Sequence, residues 1–295
     1  KAFTYALKLA KEVDADIILA TDPDADRLGV YVRGKEPGTY HVLTGNMSGC
    51  LLAEYEISQM KEAGTLPEDG ALIKTIVTTN LANDIAKYYN VNLIEVLTGF
   101  KYIGEQILGF ETTGKGHYCF GFEESYGCLI GTHARDKDAV VASMLVCEMA
   151  AYYKKQGKSL AEVIDGLYEE FGYYLNQTYS FEFDGAAGMQ KMSDIMTAVR
   201  DNTPKSIAGY DVVKVSDYFL RKETDVATGS VTDIDLPKSN VIALHLADDN
   251  AVIIRPSGTE PKIKLYITSV GKDKDNAAEI CEKLVVASKE ILGVE

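Results

Sequence analysis

Apolar positions along this chain switch repeatedly between a strand-like and a helix-like period. Ala15 to Ala20 has the length and composition of a buried strand, and Leu28, Val30 and Val32 alternate with less apolar neighbours as a second strand would. A third strand is predicted around Tyr40 to Leu43, and the opening residues, Lys1 to Lys11, place their apolar side chains at helical spacing. After the turn Thr44-Gly45-Asn46, Leu51 to Met60 reads as helix and Ala71 to Val77 as strand. Thr78-Thr79-Asn80 offers caps for a helix over Leu81 to Tyr89, which Asn90 is placed to end. Strands follow at Val91 to Leu97 and Tyr118 to Phe120. Val140, Met144, Cys147 and Ala151 then recur at helical spacing in a helix capped by Asp136 or Asp138 and ended by Gly157, with another helix from Leu160 to Leu167. Strand and helix in alternation predict an α/β fold with a mainly parallel sheet covered by helices.

The pattern changes near residue 175, where a polar and acidic stretch runs through Asp184-Gly185. Beyond it a helix is predicted over Met189 to Val199, then strands at Val212 to Val215, Val241 to Leu246, Ala251 to Ile254 and Ile263 to Thr268. Residues 221–237 read as a mobile loop, and Ala277 to Leu292 as an amphipathic closing helix. This second region therefore reads as a smaller α+β domain.

Composition limits the chemistry. The chain has 295 residues, 46% of them hydrophobic, which suffices for about two domains with buried cores. Its formal charge of −14 argues against a nucleic-acid partner and offers no basic surface to a membrane, so an anionic ligand has to be met by local cations. No run of about 18 apolar residues is present to span a bilayer. Five cysteines, odd in number and without C-x-x-C spacing, read as reduced core thiols and suggest a cytoplasmic protein.

Three stretches carry candidate chemistry. Asp22, Asp24 and Asp26 sit at alternate positions between two strands, where like charges repel unless a cation joins them. Such hard oxygen ligands suit magnesium, calcium or manganese. An EF-hand is excluded because Arg27 and Arg33 occupy the positions that need glycine and glutamate. A haloacid-dehalogenase-like aspartate pair remains a rival, and a solvated turn is the plain alternative. Glu123 and Ser125, in Gly121-Phe122-Glu123-Glu124-Ser125-Tyr126-Gly127, can clamp vicinal sugar hydroxyls, unless this is merely a polar turn between strand and helix. In Arg255-Pro256-Ser257-Gly258-Thr259-Glu260-Pro261-Lys262, Arg255 can grip a phosphate bidentately, Ser257 and Thr259 can donate hydroxyls and Gly258 lets the backbone approach, with Lys262 and Lys264 adding charge.

Together these stretches resemble the α-D-phosphohexomutases, the phosphoglucomutase and phosphomannomutase family, in its own chain order. The metal loop of that family is Asp-x-Asp-x-Asp-Arg, its sugar loop a Glu-x-Ser turn, and its phosphate loop close to Arg-Pro-Ser-Gly-Thr-Glu-Pro. The resemblance implies Mg2+ on Asp22, Asp24 and Asp26 with Arg27 assisting, a lysine near the reacting hydroxyl at Lys137, and a substrate contact at Lys101 in the turn Thr98-Gly99-Phe100-Lys101. It implies α/β phosphohexomutase domains followed by the α+β domain, divided as 1–44 (end of the second mutase domain), 45–175 (third domain) and 176–295 (phosphate-binding domain). The expected activity is interconversion of hexose 1-phosphate and 6-phosphate through a phosphoserine and a bisphosphorylated sugar. The family's Thr-x-Ser-His-Asn-Pro-like serine segment occurs nowhere in this sequence. The chain is therefore expected to be a fragment, inactive alone, whose partner is the N-terminal part of the same polypeptide. A noncatalytic module that binds metal and sugar phosphate is the other reading.

Overall fold

The computed structural model describes residues 2–183, 185–258 and 260–294, and the chain divides into two units between Phe171 and Gly172. In the first, helix α1 (Thr4–Val13) precedes an antiparallel sheet of β1 (Ile17–Thr21), β2 (Leu28–Arg33) and β3 (Tyr40–Leu43), in that order. Thr21 pairs with Leu28, so residues 22–27 are the turn of a hairpin. Alternate residues of β2 are buried, as expected, but in β1 only Ile18 is. The expectation of a buried strand fails there because β1 is an edge strand, paired with β2 alone among the described residues.

The rest of this unit runs α2 (Gly45–Glu62), β4 (Gly70–Thr75), α3 (Leu81–Tyr89), β5 (Asn92–Val96), α4 (Phe100–Thr113), β6 (His117–Phe122), β7 (Cys128–Ile130), α5 (Ala139–Lys155) and α6 (Leu160–Phe171). Its sheet has the order β5-β4-β6-β7, parallel except for β7. All six residues of the central strand β4 are buried. The predicted turn at Thr44 is the first turn of α2, since the Thr44 hydroxyl accepts the Met47 N–H at 3.2 Å. Asn90 ends α3 in the left-handed conformation, φ 55°. The stripe Val140, Met144, Cys147 and Ala151 is the exposed side of α5, whose core face is Ala142, Leu145, Val146 and Met149. Apolar residues on both sides of α5 leave its periodicity ambiguous. Cys147 is thus no core filler, although Cys50, Cys119, Cys128 and Cys281 are buried, and all five are unpaired.

The second unit contains β8 (Tyr173–Glu182), α7 (Gly185–Asp201), β9 (Ser206–Ile207), β10 (Tyr210–Asp217), β11 (Lys222–Asp225), β12 (Val231–Asp233), β13 (Ile242–Leu246), β14 (Ala251–Pro256), β15 (Lys262–Gly271) and α8 (Lys274–Leu292). Its antiparallel sheet has the order β12-β11-β10-β13-β14-β15-β8, with β9 hairpinned on β10. Met192, Met196, Ile280 and Leu284 of the two helices share a core with Leu244, Val252 and Leu265 of the sheet. Two expectations are corrected. The polar stretch after residue 175 is most of β8, an edge strand paired with β15 along its whole length, and residues 221–237 contain β11 and β12 rather than a wholly irregular loop. No described helix is long and apolar enough to cross a membrane.

Candidate active site and phosphate hairpin

Three segments far apart in sequence meet around the hairpin turn between β1 and β2. The Asp22 carboxylate accepts the backbone N–H groups of Asp26 (3.1 Å) and Arg27 (3.0 Å), folding the turn back on itself. These bonds, the one from Arg27 foremost, hold Asp22 below the usual carboxylate range. The Ala139 N–H at the start of α5 donates to the Ala25 carbonyl at 3.0 Å, and the Leu28 N–H donates to the Tyr126 carbonyl at 3.1 Å. The Lys137 ammonium bridges Asp26 and Asp136, each at 2.9 Å. Gly127 permits this approach, because a Cβ there would lie 2.1 Å from the Lys137 side chain.

Asp22, Asp24 and Asp26 each offer a carboxylate oxygen, all within 4.8 Å of one another. Asp26 Oδ1 is buried without a hydrogen-bond partner among the described residues, with Arg27 Nε 3.9 Å away, while Lys137 takes the other carboxylate oxygen. A buried carboxylate oxygen is costly unless something compensates it. A hard divalent cation supplies that compensation, so the donor set fits Mg2+. Arg27, half exposed, also lies 3.7 Å from Asp22.

Sequence reasoning placed Glu123 to Gly127 between strand and helix, whereas the turn joins β6 to β7 and is closed by the Glu123 N–H on the Gly127 carbonyl at 2.8 Å. Glu123 is 5% exposed. Burial, and next the charge of Glu124, push its carboxyl up, while Lys137 and the Gly99 N–H pull the other way. Burial also disfavours the Lys137 ammonium, but Asp26 and Asp136 outweigh it and raise Lys137 above its ordinary value. Lys137 is therefore a held cation, able to donate a proton rather than to accept one. It lies 5.7 Å from the Phe100 ring, which brings the turn before α4 to the same place.

Lys101 belongs to α4, is exposed, and rests its ammonium 4.6 Å over the Tyr102 ring. In the same segment the Thr98 hydroxyl is buried without a partner among the described residues. Sequence reasoning also passed over Lys74, Thr75, Thr78 and Glu124. The available signal was a lysine and a threonine inside the otherwise apolar run that became β4.

In the second unit, Arg255 stands at the end of β14, Lys262 at the start of β15, and Ser257 and Gly258 follow β14 in the connection between them. Arg255 is half-buried, donates to the Tyr266 hydroxyl at 3.4 Å and pairs across the ladder with Lys264. The Ser257 N–H donates to the Lys262 carbonyl at 2.8 Å, and the Ser257 hydroxyl accepts the Glu260 N–H at 3.3 Å. Lys262 is ion-paired with Glu260, so its charge is already partly offset. Gly258 is exposed, with open space where a side chain would stand. Thr259, the remaining candidate, lies outside the described residues.

Comparison with known proteins shows the family. The family model for the phosphoglucomutase/phosphomannomutase alpha/beta/alpha domain III matches residues 44–171, and that for the C-terminal domain matches residues 221–286. The chain belongs to the phosphoglucomutase/phosphomannomutase family, the α-D-phosphohexomutases. It is 40% identical over 268 residues to a phosphoglucomutase of Staphylococcus epidermidis, covering 91% of this chain and 48% of that one. With a phosphoglucomutase of Staphylococcus aureus it shares 38% identity over 279 residues, 95% of this chain and 49% of the other. The chain thus spans about half the length of these curated relatives. Among solved structures, the Paramecium phosphoglucomutase pp63/parafusin matches with a TM-score of 0.70 at 20% identity, over 99% of this chain and 49% of its own. The Aspergillus fumigatus N-acetylphosphoglucosamine mutase, solved with GlcNAc-6P and magnesium, matches with a TM-score of 0.51 at 12% identity, over 97% and 52%.

Proposed function

We propose that this chain carries the metal, sugar and phosphate loops of a phosphohexomutase that interconverts hexose 1-phosphate and 6-phosphate. The observation that supports the reading is the joining of Asp26, Lys137 and the Tyr126 carbonyl around one turn, which brings the three aspartates beside the Glu123–Gly127 turn. Asp22, Asp24 and Asp26 would hold Mg2+, which when bound offsets negative charge on a phosphoryl group. Arg27 assists with a second positive charge. Glu123 and Ser125 accept and donate to ring hydroxyls, and the Lys137 ammonium donates toward the reacting oxygen. Arg255, Ser257, Gly258 and Thr259 grip the phosphate that stays on the sugar. Lys101, exposed at the start of α4, is a further substrate contact in this reading.

In this reading phosphate passes through a phosphoserine and a bisphosphorylated sugar, and that serine comes from sequence outside these residues. The divisions 1–44, 45–175 and 176–295 are the corresponding mutase domains, with the N-terminal domains of the same polypeptide as partner. The second reading, a noncatalytic sugar-phosphate module, keeps every binding role and drops the transfer. The deciding experiment assays the 295-residue chain with glucose 1-phosphate and a bisphosphate primer, alone and then mixed with an N-terminal half from a phosphoglucomutase relative. No turnover alone and turnover in the mixture is the expected result. Robust turnover alone removes the need for an outside serine, and none in the mixture favours the noncatalytic module.

A further inference from the structure

Lys74 is fully buried in the central strand β4. A buried ammonium is tolerated only when its donors are used. Its three donors are accounted for by Glu95 Oε1 on the neighbouring strand (2.7 Å), the Thr78 carbonyl (3.1 Å) and Asn80 Oδ1 (3.1 Å). Lys74 therefore pins the segment that leaves β4, which is also folded by the Thr78 N–H on the Thr75 carbonyl at 3.0 Å. The pinned turn sets the Thr75 and Thr78 hydroxyls 2.8 Å apart, and each lies 3.4 Å from Glu124 Oε2. Thr75 and Thr78 are 0% and 3% exposed. With one proton each, one hydroxyl donates to the other, whose own proton is left for the carboxylate. On the far side, the first residue of α2 closes the seat: a Cβ on Gly45 would lie 2.1 Å from the Glu124 carbonyl oxygen.

We infer that Thr75 and Thr78, braced by Lys74, are positioning residues that seat Glu124 and thereby fix the turn bearing Glu123 and Ser125. Glu124, half-buried against the two threonines, acts as the peg of that turn. The inference rests on the reading of Glu123 and Ser125 as the sugar grip, but the seating can be tested without it.

The test uses the whole chain as wild type, T78V, T78S and the double variant T75V/T78V. Amide hydrogen exchange is followed at Glu123 and Leu28, whose N–H groups bind the Gly127 and Tyr126 carbonyls. The double variant should exchange at both amides roughly tenfold faster, a change of the size expected for one lost hydrogen bond. T78S should stay near wild type, and Ile73 in β4 and Leu265 in β15 should not change. Unaltered exchange at Glu123 and Leu28 in the double variant overturns the inference, as does an equal acceleration at Ile73, which marks general loosening of β4. A second arm compares glucose 6-phosphate with inorganic phosphate by calorimetry. The double variant should weaken the sugar phosphate roughly tenfold and leave inorganic phosphate unchanged. A loosened turn with undiminished sugar-phosphate affinity upholds the seating and overturns the sugar-grip reading instead.

Discussion

The aspartate turn of the first unit and the phosphate hairpin of the second both join neighbouring antiparallel strands and both brace themselves, but they differ in what else holds them. The aspartate turn, closed by Asp22 on its own backbone, is also tied by the Ala139 and Leu28 backbone bonds and by the charge of Lys137 on Asp26. The phosphate hairpin, closed through Ser257 with Lys262 and Glu260, has one backbone bond from a neighbouring segment, the Phe183 N–H on the Pro261 carbonyl at 2.8 Å, and leaves Gly258 facing open space. Repulsion explains the contrast. Crowded carboxylates splay unless other segments restrain them, whereas a loop of hydroxyls and one guanidinium has no such tendency. Function in the first unit should therefore respond to charge substitutions far along the chain, and function in the second chiefly to the hairpin itself.

The sharpest break of that comparison is at Asp24. It is exposed, so Asp24→Ala strips a ligand without loosening the bonds made by Asp22 and Asp26. Magnesium binding seen by calorimetry should disappear while thermal stability is kept; undiminished affinity would move the cation elsewhere. Lys74→Ala comes next. Loss of a large buried side chain costs about 2–5 kcal/mol, here with three ammonium contacts removed as well. Urea unfolding followed residue by residue should show that loss in the first unit and none in the second. A change under about 1 kcal/mol would mean that Lys74 carries little of the bracing.

What the sequence disclosed divides along the same line. The three candidate loops could be singled out because each is contiguous, so residue types and spacing alone suffice to propose them. Lys74 was not, because its partners Glu95, Thr78 and Asn80 are fixed by strand pairing and by a turn that periodicity does not reveal. The core face of α5 was misread for a related reason: Val140 and Met144 are 66% and 62% exposed, and only packing against the rest of the unit separates them from Leu145 and Met149. β8 was missed although Leu175, Tyr179 and Phe181 pack from it onto the core, because the polar residues between them masked the alternation, and its order comes from β15.

At the hairpin, Arg255→Ala removes the one fork-shaped charged donor. A charge-assisted contact of this kind is worth about 1.5–3 kcal/mol, roughly a tenfold to hundredfold loss of affinity for inorganic phosphate or glucose 6-phosphate. Arg255→Lys should recover only part, keeping charge without bidentate geometry. Neutral glucose is the control. Equal binding of glucose 6-phosphate to wild type and Arg255→Ala would end the assignment of this hairpin, and any change in magnesium affinity would undo the independence of the two regions.

The smallest effect tests the bracing at its margin. Asp138 caps α5 by accepting the Val140 and Val141 N–H groups at 2.9 and 3.1 Å, and it pairs with His133 Nε2 at 3.0 Å. The next residue, Ala139, donates to Ala25 of the aspartate turn, so the cap also steadies that turn. Asp138→Ala should cost about 1 kcal/mol. The His133 partner first, then the cap amides, hold the Asp138 carboxyl below its ordinary value. A carboxyl lowered in the folded state binds its proton more weakly there than in the unfolded chain. Its stabilisation is therefore complete above the unfolded value and is lost as pH falls through the folded one. Asp138→Asn keeps a good cap but cannot titrate, so its stability should fall less on acidification from about pH 6 to about pH 3. Chemical denaturation across that range decides it. Parallel profiles for wild type and Asp138→Asn would show that this carboxylate does not couple the cap to pH.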